Sequence, residues 1–205
     1  MPIDVQSLFD NPPTFRTKRL MLRPVAESDV ADLFRVNSDP EVTRYLPYPA
    51  WQSVDEANAW YARTQSRFAE KQAAQFAIRI ESVTTESASP TSPIARTIGN
   101  ALLFQFDVTH EVAEIGYVIG REFWGQGYAS EAVRPLIDYA FNTLGCHRLE
   151  AKLDPRNIAS IALLKRLGFA HEGTRRENWL DHQGRSDTGL YGLLKREWQA
   201  TLGNE

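Results

Sequence analysis

The sequence predicts a mixed α/β fold, a central sheet with helices on both of its faces. Three observations lead there. Strand patterns at 75–80, 97–106 and 113–120 follow one another with no helix between them, as antiparallel neighbours do. Beyond Gly120 the patterns alternate: helix, strand, helix, then two closing strands. Finally, in "WGQGYASEA" two glycines, Gly125 and Gly127, stand between a strand and a helix. Bare backbone amides at the start of a helix make an anion site.

Residues 1–13, dotted with prolines, read as a loosely held arm ahead of a domain spanning 14–198, with 199–205 as a C-terminal tail. The first strand is "RLMLRPV", where Leu20 and Leu22 alternate and Pro24 breaks the run. Val30, Leu33 and Phe34 then recur at helical spacing. "SVDE" predicts a capping box, with Ser53 as N-cap and Glu56 reaching back. The helix behind it shows Val54, Ala57, Trp60, Tyr61, Thr64 and Phe68 on one face. Segment 82–96 is Ser/Thr-rich and too poor in apolar residues to pack, so it reads as a flexible hairpin loop. After the glycines, Ala129, Ala132, Val133, Leu136, Ile137, Ala140 and Phe141 trace an amphipathic helix. Pro135 inside it predicts a bend near Ala132. "HRLEAKL" is a short strand. "NIASIALLKRLGF" is a complete helix, with Asn157 as cap, a buried face of Ile158, Ile161, Ala162 and Leu164, and Gly168 as its stop. Strands at 171–180 and 188–197 close the chain.

A length of 205 residues suits one domain, and 42% apolar with 24% charged residues suits an ordinary globular protein. A net charge of -3 argues against broad phosphate neutralisation, so no nucleic-acid partner is expected. No apolar run approaches the ~18 residues of a membrane span. The opening residues lack a signal peptide's basic start and apolar core, so a cytoplasmic location without membrane attachment is expected. Cys146 is the only cysteine and reads as core, and the four histidines show no zinc-ligand spacing, so no metal is expected.

Which anion the glycines serve is narrowed by what is missing. A Walker loop needs Lys-Ser/Thr where Tyr128-Ala129 stand, and a dinucleotide fingerprint needs a third glycine where Ser130 stands. "EIGYVIGREFWGQGYASEA", the later "NIASIALLKRLGF" and the opening "TKRLMLRP" together resemble the GNAT superfamily of N-acetyltransferases, and within it the RimJ/RimL-type branch that acetylates N-terminal amines of ribosomal proteins. The resemblance runs from about Thr14 to Trp198. It implies a mostly antiparallel, twisted sheet splayed in its middle, and acetyl-CoA as cosubstrate. It also implies that the turn Trp124, Gly125, Gln126, Gly127, Tyr128, Ala129 and Ser130 holds the coenzyme's pyrophosphate. The strand end Tyr117, Val118 and Ile119 would then flank the pantetheine arm. Glu122 departs from the family pattern and is expected to point to solvent.

The chemistry has three needs: a neutral amine, an amide donor for the oxyanion and a proton source for the thiolate. The resemblance implies Glu114 as the base, with Glu177 as runner-up; Glu131, in the first turn of its helix, is the weakest candidate and reads first as a charge that favours the helix dipole. Asn157 and Ser160 match the family's Asn-x-x-Ser pattern, and the resemblance implies Ser160 as the acid; Tyr191 is the alternative. No histidine accompanies a serine in a nucleophile elbow, so direct transfer is expected. Tyr45, Trp51, Trp60 and Trp179 are the candidate acceptor contacts. The expected acceptor is a protein N-terminal α-amine. A small amine (aminoglycoside, polyamine or amino acid) and a non-catalytic acyl-CoA sensor are the alternatives, in a monomer or homodimer.

Overall fold

The computed structural model describes residues 3–80, 96–181 and 184–202. In chain order the elements are α1 (Val5–Asp10), β1 (Phe15–Arg16), β2 (Leu20–Pro24), α2 (Val30–Asn37), α3 (Pro40–Thr43), α4 (Val54–Ala69), β3 (Ala73–Ile80), β4 (Arg96–Asp107) and β5 (Val112–Ile119). They continue with α5 (Tyr128–Asn142), β6 (Arg148–Leu153), α6 (Ile158–Arg166), β7 (Ala170–Asp181), β8 (Gly184–Leu194) and α7 (Lys195–Leu202). The strands form one sheet in the order β1-β2-β3-β4-β5-β6-β8-β7. Every neighbouring pair is antiparallel except β5 with β6.

The pleat of β3 shows how the faces divide. Phe76 and Ile78 join the larger core with Leu20, Leu22 and the buried face of α5, while Ala77 joins a smaller core of Val30, Leu33, Trp51 and Ala57 from the α2 and α4 side. Helices therefore cover both faces, as predicted. The one parallel pair is short: Val112, Ala113 and Glu114 pair with Arg148, Leu149 and Glu150, and the pairing goes no further. Beyond it β5 bonds only to β4 and β6 only to β8, so the sheet opens in its middle.

A buried ionic cluster ties β2, β3 and β4 together. The Asp29 side chain is fully buried. It accepts from Arg23 Nη1 at 2.7 Å and Nη2 at 3.0 Å, from Arg79 Nη1 at 2.7 Å, from Thr97 Oγ1 at 2.6 Å and from the Ala26 amide at 2.9 Å. Burial would raise this carboxyl, but the Arg23, Thr97 and Ala26 hydrogen bonds outweigh it and hold the group below its ordinary value.

Several expectations need correction. The arm is not loose where it is described: Asp4 caps α1 and its amide donates to Leu144 O at 2.8 Å, while Leu8 and Phe9 enter the larger core. The tail begins inside α7, which runs on to Leu202. Ser53 is the N-cap of α4 without a side-chain bond, and Glu56 reaches the Gln52 amide at 3.2 Å instead of that of Ser53. Ile158 and Ala162, expected on a buried face, are exposed. Pro135, as expected, does not break helix α5, which runs on through it. Of the expected loop 82–96, residues 82–95 lie outside the described residues, and Arg96 opens β4. No helix among the described residues is long and apolar enough to cross a membrane.

Candidate active site

The glycine turn has the backbone its composition predicts. Gly125 has φ +71° and Gly127 φ +80°, left-handed values that glycine adopts without a Cβ penalty. Gly127 is the N-cap of α5 and no side chain caps the helix there, so its first-turn amides keep their donor capacity. Arg19 braces the turn from outside: Nη1 donates to Gln126 O at 3.0 Å, and the guanidinium lies 4.1 Å from the centre of the Tyr128 ring. The same residue engages Glu131, through its backbone amide at 2.8 Å and Nε at 2.6 Å, and Thr17 Oγ1 adds a third bond at 2.7 Å. Burial would raise Glu131, but these bonds win and lower it. Such a carboxylate is a structural tie between the β1–β2 turn and α5, fully occupied, and not a proton acceptor. Glu122 is largely exposed and pairs with Arg96 at 2.8 Å.

Two cavities meet where the sheet opens. One, of about 580 Å³, is walled by the glycine turn (Trp124, Gly125, Gly127, Tyr128, Ala129, Ser130), the end of β5 (Tyr117, Val118, Ile119) and the first turns of α6. Its α6 wall explains the exposed Ile158 and Ala162: an apolar helix face here borders an open groove instead of the core. The other, of about 470 Å³, is walled by Glu114, Gly116 and Lys152 with residues from α4, β4, β7 and β8. Tyr45, Leu46, Tyr117, Val118, Asn157 and Ser160 belong to both.

The side chains at this junction have distinct electrostatics. Glu114, 9% exposed, accepts from Lys152 Nζ at 2.6 Å. Burial raises its carboxyl above the ordinary value, the Lys152 bond and charge pull the other way, and Glu150 nearby adds to the rise. Tyr117, three positions along β5, donates its hydroxyl to Ser160 O at 3.5 Å, and burial pushes its phenol up to about 12. Asn157 caps α6 by accepting from the Ser160 amide at 3.1 Å, which fixes Ser160 in the wall common to both cavities. Replacing Asn157 by Ala is expected to cost about 1 kcal/mol in urea unfolding, the usual value of an N-cap.

Not every predicted residue comes to the site. Trp60 and Trp179 line the second cavity and Tyr45 lines both, but Trp51 is buried between Tyr48 and Trp60, with ring centres 6.1 and 5.6 Å away. The Gln126 side chain turns back to Glu122 O at 2.8 Å. Glu177 is outside both cavity walls, at φ +47° with its amide on Asp187 Oδ1 at 2.8 Å. Tyr191 is buried in the core with its ring 5.0 Å from that of His171. Cys146 is buried and inert, its thiol pushed up to about 11 by burial. Lys152 and Arg67, both in the second cavity's wall, carry no sequence motif. The register that brings Lys152 to Glu114 is the only signal for the first, and it is a long-range one.

Residues 19–170 match the acetyltransferase (GNAT) domain family. An uncharacterised N-acetyltransferase of Bacillus licheniformis, p20, is 38% identical over 186 residues, covering 90% of this chain and 98% of its own. The "Putative ribosomal N-acetyltransferase YdaF" of Bacillus subtilis is 39% identical over 101 residues, covering 49% of this chain and 55% of its own. Spermidine N-acetyltransferase from Vibrio cholerae, solved with CoA and spermine, shares the fold at a TM-score of 0.72 and 20% identity, covering 89% of this chain and 99% of that one. The chain therefore belongs to the GNAT family of acetyl-CoA-dependent N-acetyltransferases.

Proposed function

We propose that the protein acetylates the N-terminal α-amine of a peptide or protein, with the coenzyme in the glycine-turn cavity and the amine in the cavity of Glu114. The observation that carries this is the wall common to both cavities, Tyr117, Val118 and Ser160 above all, which lets two ligands meet at the opening of the sheet. The residues present fit the coenzyme: the uncapped amides around Gly127 and the N-terminus of α5 suit its pyrophosphate, and Ile158 and Trp124 offer apolar surface beside it. Acetyl-CoA supplies an activated thioester acyl group.

The chain's own residues then have separable tasks. Glu114 takes the proton that the attacking amine must lose, and Lys152 holds that carboxylate in place through the bond between them. Backbone N–H groups on the unpaired edge of β5 can receive the developing oxyanion. The Ser160 hydroxyl, in the wall common to both cavities, then donates its proton to the departing sulfur.

A single amine suits this cavity better than a polycation. Of its wall carboxylates, Glu114 is engaged by Lys152, Asp154 by Arg156 at 2.9 Å, and Asp187 by the Glu177 amide. Lys152 and Arg67 add positive charge to the same wall. The relative named as a ribosomal acetyltransferase supports a protein acceptor.

Thiol release from acetyl-CoA tests the reading against a panel of peptides, polyamines, aminoglycosides and amino acids. Peptides with a free N-terminus are expected to give the highest kcat/KM, and N-terminally blocked copies none. Faster turnover of spermidine than of any peptide would overturn the peptide assignment. Gly127→Ala puts a Cβ on a left-handed residue at a cost of roughly 1–2 kcal/mol; the free turn is expected to relax out of that conformation, and CoA, which must restore it, should bind about tenfold more weakly by calorimetry.

A further inference from the structure

The geometry points to an anion-binding subsite in the acceptor cavity, formed by Arg67 and Gln105, and so to acceptors with a carboxylate some way from the amine; this rests on the acceptor reading above. Arg67 lies in the last turn of α4, half-buried in the cavity wall, with its guanidinium carbon 5.9 Å from the centre of the Phe104 ring. Phe104 is the direct partner of Glu114 across β4 and β5, so the two side chains share one face of the sheet. Cation, ring and base therefore follow one another along a single wall.

What sets Arg67 apart is its lack of compensation. Among the described residues its guanidinium makes no ion pair or hydrogen bond, whereas Glu114, Lys152 and Asp154 in the same wall are all paired. Asp187 is exposed and bound to a backbone amide. A guanidinium drawn partly out of water beside an aromatic ring regains its lost hydration best from a carboxylate, which its planar fork meets with two parallel bonds.

A second observation comes from the backbone of β4. Its register with β5 shifts between Phe104 and Asp107, and Gln105 within the bulge has φ +53°. Plain alternation would send Gln105 to the face opposite Phe104, but the bulge turns it into the same cavity. A left-handed glutamine is an uncommon conformation, and here it brings an exposed residue with an amide side chain into the cavity that Arg67 also lines.

The spacing selects the acceptor further. The α-carboxylate of a free amino acid lies next to its amine and cannot reach across the Phe104 ring. An acidic side chain on one of the first two residues of a peptide has that reach. The subsite accordingly takes N-terminal peptides with an early Asp or Glu.

Two peptides identical except for Glu or Gln at the second residue test this. The native enzyme should favour the Glu peptide in kcat/KM by about tenfold or more, the range of a charge-assisted hydrogen-bonded pair. Arg67→Gln should bring the ratio close to one, and Arg67→Glu should turn the preference toward a Lys peptide. A native ratio near one, or a Glu preference that survives Arg67→Gln, would overturn the subsite. Calorimetric titration of both peptides into the CoA-loaded protein reads the same ratio as Kd. Were neither peptide acetylated, a Glu preference in Kd abolished by Arg67→Gln would keep the subsite while the transfer reading fell, and equal Kd values would remove the subsite alone.

Discussion

Glu114→Gln is expected to lower kcat at pH 7 by roughly a hundredfold or more, the usual worth of a positioned general base. The loss should shrink toward pH 9, because an α-amine with pKa about 8 is by then mostly neutral without help. The native enzyme should show an acidic limb. A base works only when ionised, so turnover falls as pH drops through the Glu114 pKa. Burial raises that pKa, which places the limb above the ordinary carboxylate range. The variant should lack the limb while binding CoA normally, since Glu114 lines only the acceptor cavity. A pH profile of kcat that is the same in both proteins would remove Glu114 from this role.

Asp29→Ala should destabilise the protein by about 3–5 kcal/mol, because Arg23 and Arg79 would be left facing each other without their common counter-ion. In a domain of this size that is a fall in Tm of roughly 6–20 °C. The pH dependence has a definite sign. Asp29 has a folded-state pKa below its unfolded one, so its contribution is present above the unfolded value of about 3.9 and is lost as pH falls through the folded value. Native protein should therefore lose stability on acidification in that window, and the variant should lose less there. Thermal melts from pH 7 down to pH 3 measure both effects. A stability curve for Asp29→Ala parallel to the native one would mean that the cluster contributes nothing through ionisation.

Local signals told most about this chain where the backbone itself carries the function. Gly125 and Gly127 announced a left-handed turn, and Asn157 announced a cap; both need only near neighbours in sequence. Glu114 was legible for the same reason, as a charge at the start of a strand leading to the turn. The failures share a different physics. Ile158 and Ala162 fit an amphipathic pattern, but periodicity cannot tell a face that meets the core from one that meets a groove. Glu177 and Trp179 are two apart in β7, and alternation would give them one face. The register between Arg175 and Trp179 is broken, and only Trp179 reaches the cavity. Lys152 and Arg67 join the site through contacts far apart in sequence, which no local pattern encodes. The arm at 1–13 misled because its prolines flank a short helix whose Leu8 and Phe9 find their partners only in the folded core.

The two cavities have largely separate owners. Among the described residues only Tyr45, Leu46, Tyr117, Val118, Asn157 and Ser160 serve both; beyond these the coenzyme half draws mostly on residues 41–44, the glycine turn, α5 and α6, and the acceptor half mostly on α4, β4, the start of β5, β6, β7 and β8. Descendants of one ancestral gene could therefore exchange acceptors through changes in a helix and a distal hairpin, while the machinery for the thioester stayed untouched. An engineer wanting a new acceptor should randomise around Arg67 and Trp179 first.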